Sequence, residues 1–258
     1  MIYDAPVVFW NDDGSPYTPK NYKGAWNGPV LARQALANSM NVPSLRVLSR
    51  VGFEDALSTA RKLLGIPKDE MVSRNLVRRW PAGLGIVEVA PIEMAKAYST
   101  IANGGDEVVP IAVRYIEDRN GRIIAEPEQQ LRLEQQKKGE DTQVLSPQTA
   151  YIMTDMLKTT VQTGTLSYAR QLVDDFKMPT AGKTGTTQNW ADAWTVGFTP
   201  YYTTAIWLGF DQGGGNSLGT NQTGAVTTGP VWARYMEAIH EGLEPREFDK
   251  PATGLTET

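Results

Sequence analysis

Apolar residues recur every three or four positions in several stretches of the chain, and each such stretch predicts a helix with one buried face. Val30, Leu31, Ala35 and Leu36 set that spacing over residues 28–38, and a polar break at Ser39-Met40-Asn41 follows. Pro43 suits the first turn of a second helix, where a missing N–H costs nothing. Phe53, Ala56, Leu57, Ala60, Leu63 and Leu64 predict a third helix that stops at Gly65. Pro91 opens a fourth, with Ile92, Ala95, Tyr98, Ile101 and Ala102 on one face and Asn103-Gly104-Gly105 as its stop.

Beyond that point the period changes. Residues 107–117 and 122–125 alternate around Val and Ile and flank a turn at 118–121, which predicts a β-hairpin. The charged stretch 126–142 is expected to be a solvated surface excursion. Ser146-Pro147 caps a helix running to Leu157, and residues 165–172 make a shorter one. Three β-rich runs at 180–187, 193–199 and 203–210, joined by polar or proline-containing turns, predict an antiparallel meander. A Gly-rich loop at 211–224 and an amphipathic helix at 226–240 complete the pattern, and no repeat is visible. Nothing alternates strand, helix and strand as a parallel sheet would require, so the expected fold class is α+β.

Composition narrows the function classes. The chain has 258 residues, 41% of them hydrophobic, which suffices for a full core and excludes disorder and disulfide-scaffold classes. Lys plus Arg number 25 against 29 Asp plus Glu, a net charge of -4 that offers no sequence-independent grip on nucleic acid. No apolar run approaches the ~20 residues that cross a bilayer, and Met1 to Trp10 lacks the pattern of a signal peptide, so a soluble chain without a membrane segment is expected. The absence of cysteine removes disulfides, thiolate metal sites and a cysteine nucleophile. His240 is the sole histidine, and a Ser-His-Asp triad would have to use it. No nucleophile elbow lies near it, so it reads as a helix-end histidine beside the last carbonyls. Serine and lysine remain.

Lys183-Thr184-Gly185-Thr186-Thr187 opens the meander, and a lysine is an unusual choice on a strand with a buried face. Period-2 alternation puts the hydroxyls of Thr184 and Thr186 on one face, where both can reach a single carboxylate, while Gly185 lets another backbone or a ligand come close. A threonine-rich edge strand kept soluble by its lysine has the same sequence. Gly182-Lys183-Thr184 also ends like a phosphate-binding P-loop, but Lys177 stands where that motif needs glycine and a strand follows where it needs a helix. Ser39-Met40-Asn41 offers a hydroxyl and an amide from an inter-helix turn. Asn as a cap explains it equally well, and Ser73-Arg74-Asn75 repeats the pattern.

Together the runs ALANSMNVPSLRVLSRVG (35–52), VAPIEMAKAYSTIANGG (89–105) and AGKTGTTQNWADAWTVGFTP (181–200) resemble the transpeptidase domain of class A, bifunctional penicillin-binding proteins. The resemblance runs from Asp4-Ala5-Pro6 to the final helix. It implies an antiparallel sheet flanked by helices plus a helical lobe, here as a partial domain over 1–258, with the helical lobe at about 24–105 and the sheet lobe at about 106–245. It implies catalytic roles for Ser39, Asn41, Lys183 and Thr186. The Ser39 hydroxyl would relay a proton between the general base and the leaving amine, and Asn41 would hold the substrate's peptide. Lys183 would supply positive potential near Ser39, and Thr184 and Thr186 would bind the substrate carboxylate beside Gly185. The backbone N–H of Thr186 would serve the oxyanion hole. Ser73 drops out, since it does not lie between the helices that frame the family's cleft.

The family's nucleophile and base stand in S-x-x-K, one helical turn apart. No serine here has a lysine three residues on; Ser58 and Ser167 come closest, with Arg61 and Arg170, and arginine stays protonated. The resemblance sets that motif upstream of Asp4-Ala5-Pro6, so the chain is expected to be the C-terminal part of the domain. The implied function is peptidoglycan D,D-transpeptidation: acyl transfer from a D-Ala-D-Ala stem peptide, with β-lactams as mimics. No metal or organic cofactor is implied, and the full-length family is anchored outside the cytoplasmic membrane. The expected partners are the stem peptide, β-lactams and an upstream half of the domain, with no nucleic acid. A non-catalytic peptide- or partner-binding module on the same scaffold is the competing reading, and an NTPase a distant third.

Overall fold

The three β-rich runs form the meander that their pattern predicts. In this computed structural model, which describes residues 1–211 and 215–255, strands β7 (Ala181–Thr186), β8 (Ala193–Phe198) and β9 (Thr203–Leu208) pair antiparallel in that order. Lys183 stands opposite Val196 and Thr184 opposite Thr195. Part of the Gly-rich loop expected at 211–224, residues 212–214, lies outside the described residues.

Alternation sorts the side chains of this sheet into two cores. On one face Ala181 and Phe198 bury with Leu157 of α6 (Pro147–Gln162), and Tyr98 and Ile101 of α4 (Pro91–Ala102) pack against them. On the other, Trp232 of α8 (Thr228–Ile239) lies so close over Gly197 that a Cβ there would sit 2.4 Å from the indole. Trp232 shares its core with Val161, Leu166 and Ala169, the last from α7 (Ser167–Gln171).

Helices α1 (Ala32–Ala37), α2 (Asn41–Val51) and α3 (Phe53–Leu64) precede α4. Glu54 and Asp55 in the first turn of α3, and Arg61 and Lys62 in its last, complement the helix dipole, and Gly65 takes the left-handed cap at φ 75°. The Ser146 hydroxyl accepts the Thr149 N–H at the start of α6, as its Ser-Pro signature predicts. Arg33 of α1 reaches α6, pairing with Asp155 and donating to its carbonyl at 2.8 Å.

Local periodicity misleads at three places. The helix expected from residue 28 begins at Ala32, because Gly28–Val30 is strand β4, paired with β1 (Ile2–Asp4). Val30 buries against Ile2 across that pair, not along a helix face. The excursion at 126–142 is solvated as expected but contains α5 (Pro127–Lys138), which buries nothing and is supported by the Glu128–Arg132 pair at 2.7 Å. The hairpin is shorter than its alternation suggests: only β5 (Ile116–Glu117) and β6 (Ile123–Ala125) pair, around a turn in which Asp118 accepts the N–H groups of Asn120 and Arg122. Strands β2 (Phe9–Trp10) and β3 (Pro16–Tyr17) form one more small pair.

Candidate active site

The turn between α1 and α2 lifts Ser39 into solvent. Ser39 takes φ 54°, a left-handed conformation that costs a non-glycine residue roughly 1–2 kcal/mol. The corner holds because the Ser39 N–H donates to the Leu36 carbonyl and the Met40 N–H to the Ala35 carbonyl. Asn41 is the first residue of α2, with Met40 as the cap in place of the asparagine. Its Nδ2 donates to the Lys20 carbonyl at 2.8 Å, leaving one N–H and the side-chain oxygen uncommitted by that bond.

A buried polar network fixes this helix start. The Val42 N–H donates to Asn21 Oδ1, Asn21 Nδ2 donates to Asp4 Oδ1 at 2.6 Å, and Asp4 Oδ2 accepts from both the backbone and the side chain of Asn27. Asp4 is fully buried, so its carboxylate must meet donors inside the protein, and three do so.

Strand β7 approaches the Ser39 turn with its open edge. Lys183 Nζ donates to Ser39 Oγ at 2.8 Å and to the Thr184 carbonyl at 2.8 Å. Lys183 is half-buried, and desolvation pushes its ammonium down to about 8. The Thr187 N–H bonds Asp192 on the β8 side, so the alternate residues Thr184 and Thr186 turn their N–H groups to the open edge. The Thr186 hydroxyl accepts the Gly224 N–H at 3.1 Å and so keeps its own proton for a further acceptor.

The family description "Penicillin binding protein transpeptidase domain" matches residues 8–227. The chain belongs to that family. Penicillin-binding protein 1A of Aquifex aeolicus is 34% identical over 94% of this chain, and that of Pseudomonas aeruginosa 32% over 95%. The chain spans about a third of those relatives, 30% and 34% of their length. Among solved structures, penicillin-binding protein 1A of Haemophilus influenzae shares the fold at TM-score 0.82 and 23% identity, over 97% of this chain and 40% of that one. PonA1 of Mycobacterium tuberculosis, solved in complex with penicillin V, does so at TM-score 0.74 and 23% identity, over 98% and 66%.

The remaining candidates of this transpeptidase-family chain fall elsewhere. Ser73 bonds locally to the Glu70 carbonyl. Arg61 and Arg170, three residues after Ser58 and Ser167, spend their guanidinium groups on the carbonyls of Ile66 and Val173. Gly185 leaves room for its cross-strand neighbour, since a Cβ there would lie 3.2 Å from Trp194. Gly182-Lys183-Thr184 sits within β7, and a 3₁₀ turn (Gln188–Trp190) and β8 follow, so the motif does not run into the helix N-terminus with which a P-loop holds its phosphate. The NTPase reading fails there. His240 is buried at the end of α8, where Nδ1 donates to the Met236 carbonyl and Nε2 accepts from Thr199 at 2.7 Å. It is a structural residue with no carboxylate partner among those bonds.

Sequence reasoning missed the groups behind the site. Asp192 accepts the Thr187 hydroxyl on one oxygen and the Trp207 indole N–H on the other, which clamps the end of the β7–β8 hairpin. Thr165 bonds Thr184 at 2.8 Å. No spacing rule finds either, because the Thr165 partner is set by packing of α6 and α7 on the sheet and the Asp192 partners by the geometry of its hairpin and of the next strand.

Proposed function

We propose that this chain supplies the proton-relay and carboxylate-binding part of a serine-type peptidoglycan D,D-transpeptidase site. The observation that carries the reading is the hydrogen bond from Lys183 to Ser39, which joins one residue of each of the two family motifs found in this chain across 144 positions of sequence. With Lys183 donating to Ser39 Oγ, the Ser39 proton is directed to the cleft, where it can pass to a leaving amine and be replaced from the general base. The lysine's positive charge also favours the anionic end of a D-Ala-D-Ala peptide. Thr184 and Thr186 donate hydroxyl protons to that carboxylate. Their open edge offers amides to an extended peptide, and the Thr186 N–H faces the charge that appears in the tetrahedral intermediate. Asn41 orients the peptide bond through its uncommitted amide atoms.

In this reading the nucleophile and base are an S-x-x-K pair brought to the cleft between a helical lobe at about 24–105 and a sheet lobe at about 106–245. The substrates are stem peptides, the mimics are β-lactams, and the place of action is outside the cytoplasmic membrane. Among the described residues no helix is long and apolar enough to cross a membrane. The lack of any S-x-x-K within these residues favours a second reading, a peptide- or partner-binding module without catalysis.

Fluorescent penicillin separates the two. The chain alone is expected to form no adduct that survives denaturing electrophoresis, and the chain joined to a preceding segment that carries S-x-x-K is expected to be acylated there. Acylation that Ser39→Ala and Lys183→Ala each slow by ~10²-fold supports the relay. An acylated protein indifferent to both changes refutes it.

A further inference from the structure

The corner between α6 and α7 touches both halves of the site. The Thr165 N–H donates to the Ala37 carbonyl at 3.1 Å, two residues before Ser39. Gly164 presses on the same carbonyl so closely that a Cβ would lie 2.3 Å from its oxygen. The Thr165 hydroxyl meets the Thr184 hydroxyl at 2.8 Å, beside Lys183. One residue thus ties the Ser39 turn to β7.

Proton counting leaves this contact two directions with different consequences. Each hydroxyl has one proton and two lone pairs, so only one of the two can donate in the bond they share. If Thr184 donates to Thr165, its proton is consumed and it can offer a carboxylate only lone pairs. If Thr165 donates, the Thr184 proton is free for an anion, and the anion strengthens the chain of bonds behind it. We propose that Thr165 is a positioning residue which donates its hydroxyl proton to Thr184 and so makes Thr184 the donor to the substrate's terminal carboxylate. The inference deepens the carboxylate role given to Thr184 above and rests on it.

The test uses this chain and two probes, N-acetyl-D-alanyl-D-alanine and its methyl ester, titrated by NMR. A hydrogen bond to a charged group is worth about 1.5–3 kcal/mol, so the unmutated chain should prefer the acid by ~10-fold or more. Thr165→Val preserves shape and the N–H bond to Ala37 but removes the bond that aims and strengthens Thr184, so it should lower the acid preference by about two- to threefold, with Thr186 and Lys183 still favouring the acid, whereas Thr165→Ser should restore it. Independently of any ligand or variant, the solvent-protected hydroxyl proton of the pair should belong to Thr165. Full acid preference in Thr165→Val, or a protected proton on Thr184, overturns the role of Thr165. Acid and ester bound alike by the unmutated chain, or neither bound, overturns the carboxylate reading. The hydroxyl proton then decides the donation separately: on Thr165 it upholds the donation to Thr184, and on Thr184 it overturns that as well.

Discussion

Replacing Asp4 with asparagine changes a single atom in the network behind the Ser39 turn, and the structure sets its cost. Asp4 accepts three hydrogen bonds with no exposure to water, one from Asn21 and two from Asn27. An asparagine oxygen can keep the Asn27 donors, but its NH₂ then confronts Asn21 Nδ2. Flipping the Asn21 amide only moves the conflict, because Asn21 Oδ1 is needed by the Val42 N–H. One buried polar group is left unpaired in every arrangement, at about 1–3 kcal/mol. For a chain of this size, ~2 kcal/mol lowers Tm by roughly 4–8 °C. Local opening at the start of α2 should also speed Val42 amide exchange by about 30-fold if that cost falls there. Thermal unfolding and residue-resolved hydrogen exchange measure both. Asp12→Asn is the control, since its pair with Arg78 is largely exposed and worth under ~1 kcal/mol. An unchanged Tm together with unchanged Val42 protection would refute the claim that Asp4 organises the helix start.

Three further outcomes are expected. Lys183 should titrate near 8 by NMR, against 10.5 for the ordinary amine; the unfolded chain then holds the extra proton between those values, so stability rises with pH through that window, and Lys183→Met should flatten the rise. Burial holds His240 below its ordinary 6.5, so its contribution is complete above that value and lost as pH falls through the folded value, and His240→Gln should remove this part of the acid sensitivity in pH-dependent melts. Strand β9 pairs only with β8 among the described residues, and its uncharged TTAIWL is a template for another strand; size-exclusion chromatography should show self-association that Thr204→Lys reduces, and a monomer with fully protected β9 amides would contradict this.

Elements with a strong local period were legible. The meander, α3, α4 and α6 follow from spacing, caps and breakers, and so does the strand that carries Lys183. The pairing of β1 with β4 was not, because Ile2 and Val30 meet across the chain and Val30 also fits a helical spacing. Helix α5 escaped notice since it has no apolar face; Pro127 and its helix-forming residues were the readable signals. At the site, Ser39 and Lys183 were identified by motif, and the structure brings them within hydrogen-bond distance. Asp4, Thr165 and Asp192 depend on which distant donors and acceptors face them, information that exists only after folding.

The bond between Lys183 and Ser39 also bears on how the protein reaches its working form. The β7–β8 and β8–β9 hairpins join neighbouring residues and can form by short-range closure. Joining Ser39 to Lys183 closes a loop of 144 residues, an entropic cost of about 4 kcal/mol that one hydrogen bond cannot offset alone. This contact is therefore among the last to form and the first to part when the two regions separate. A ligand that bridges both residues acts as a clasp on the finished protein, slowing its unfolding far more than it hastens its folding.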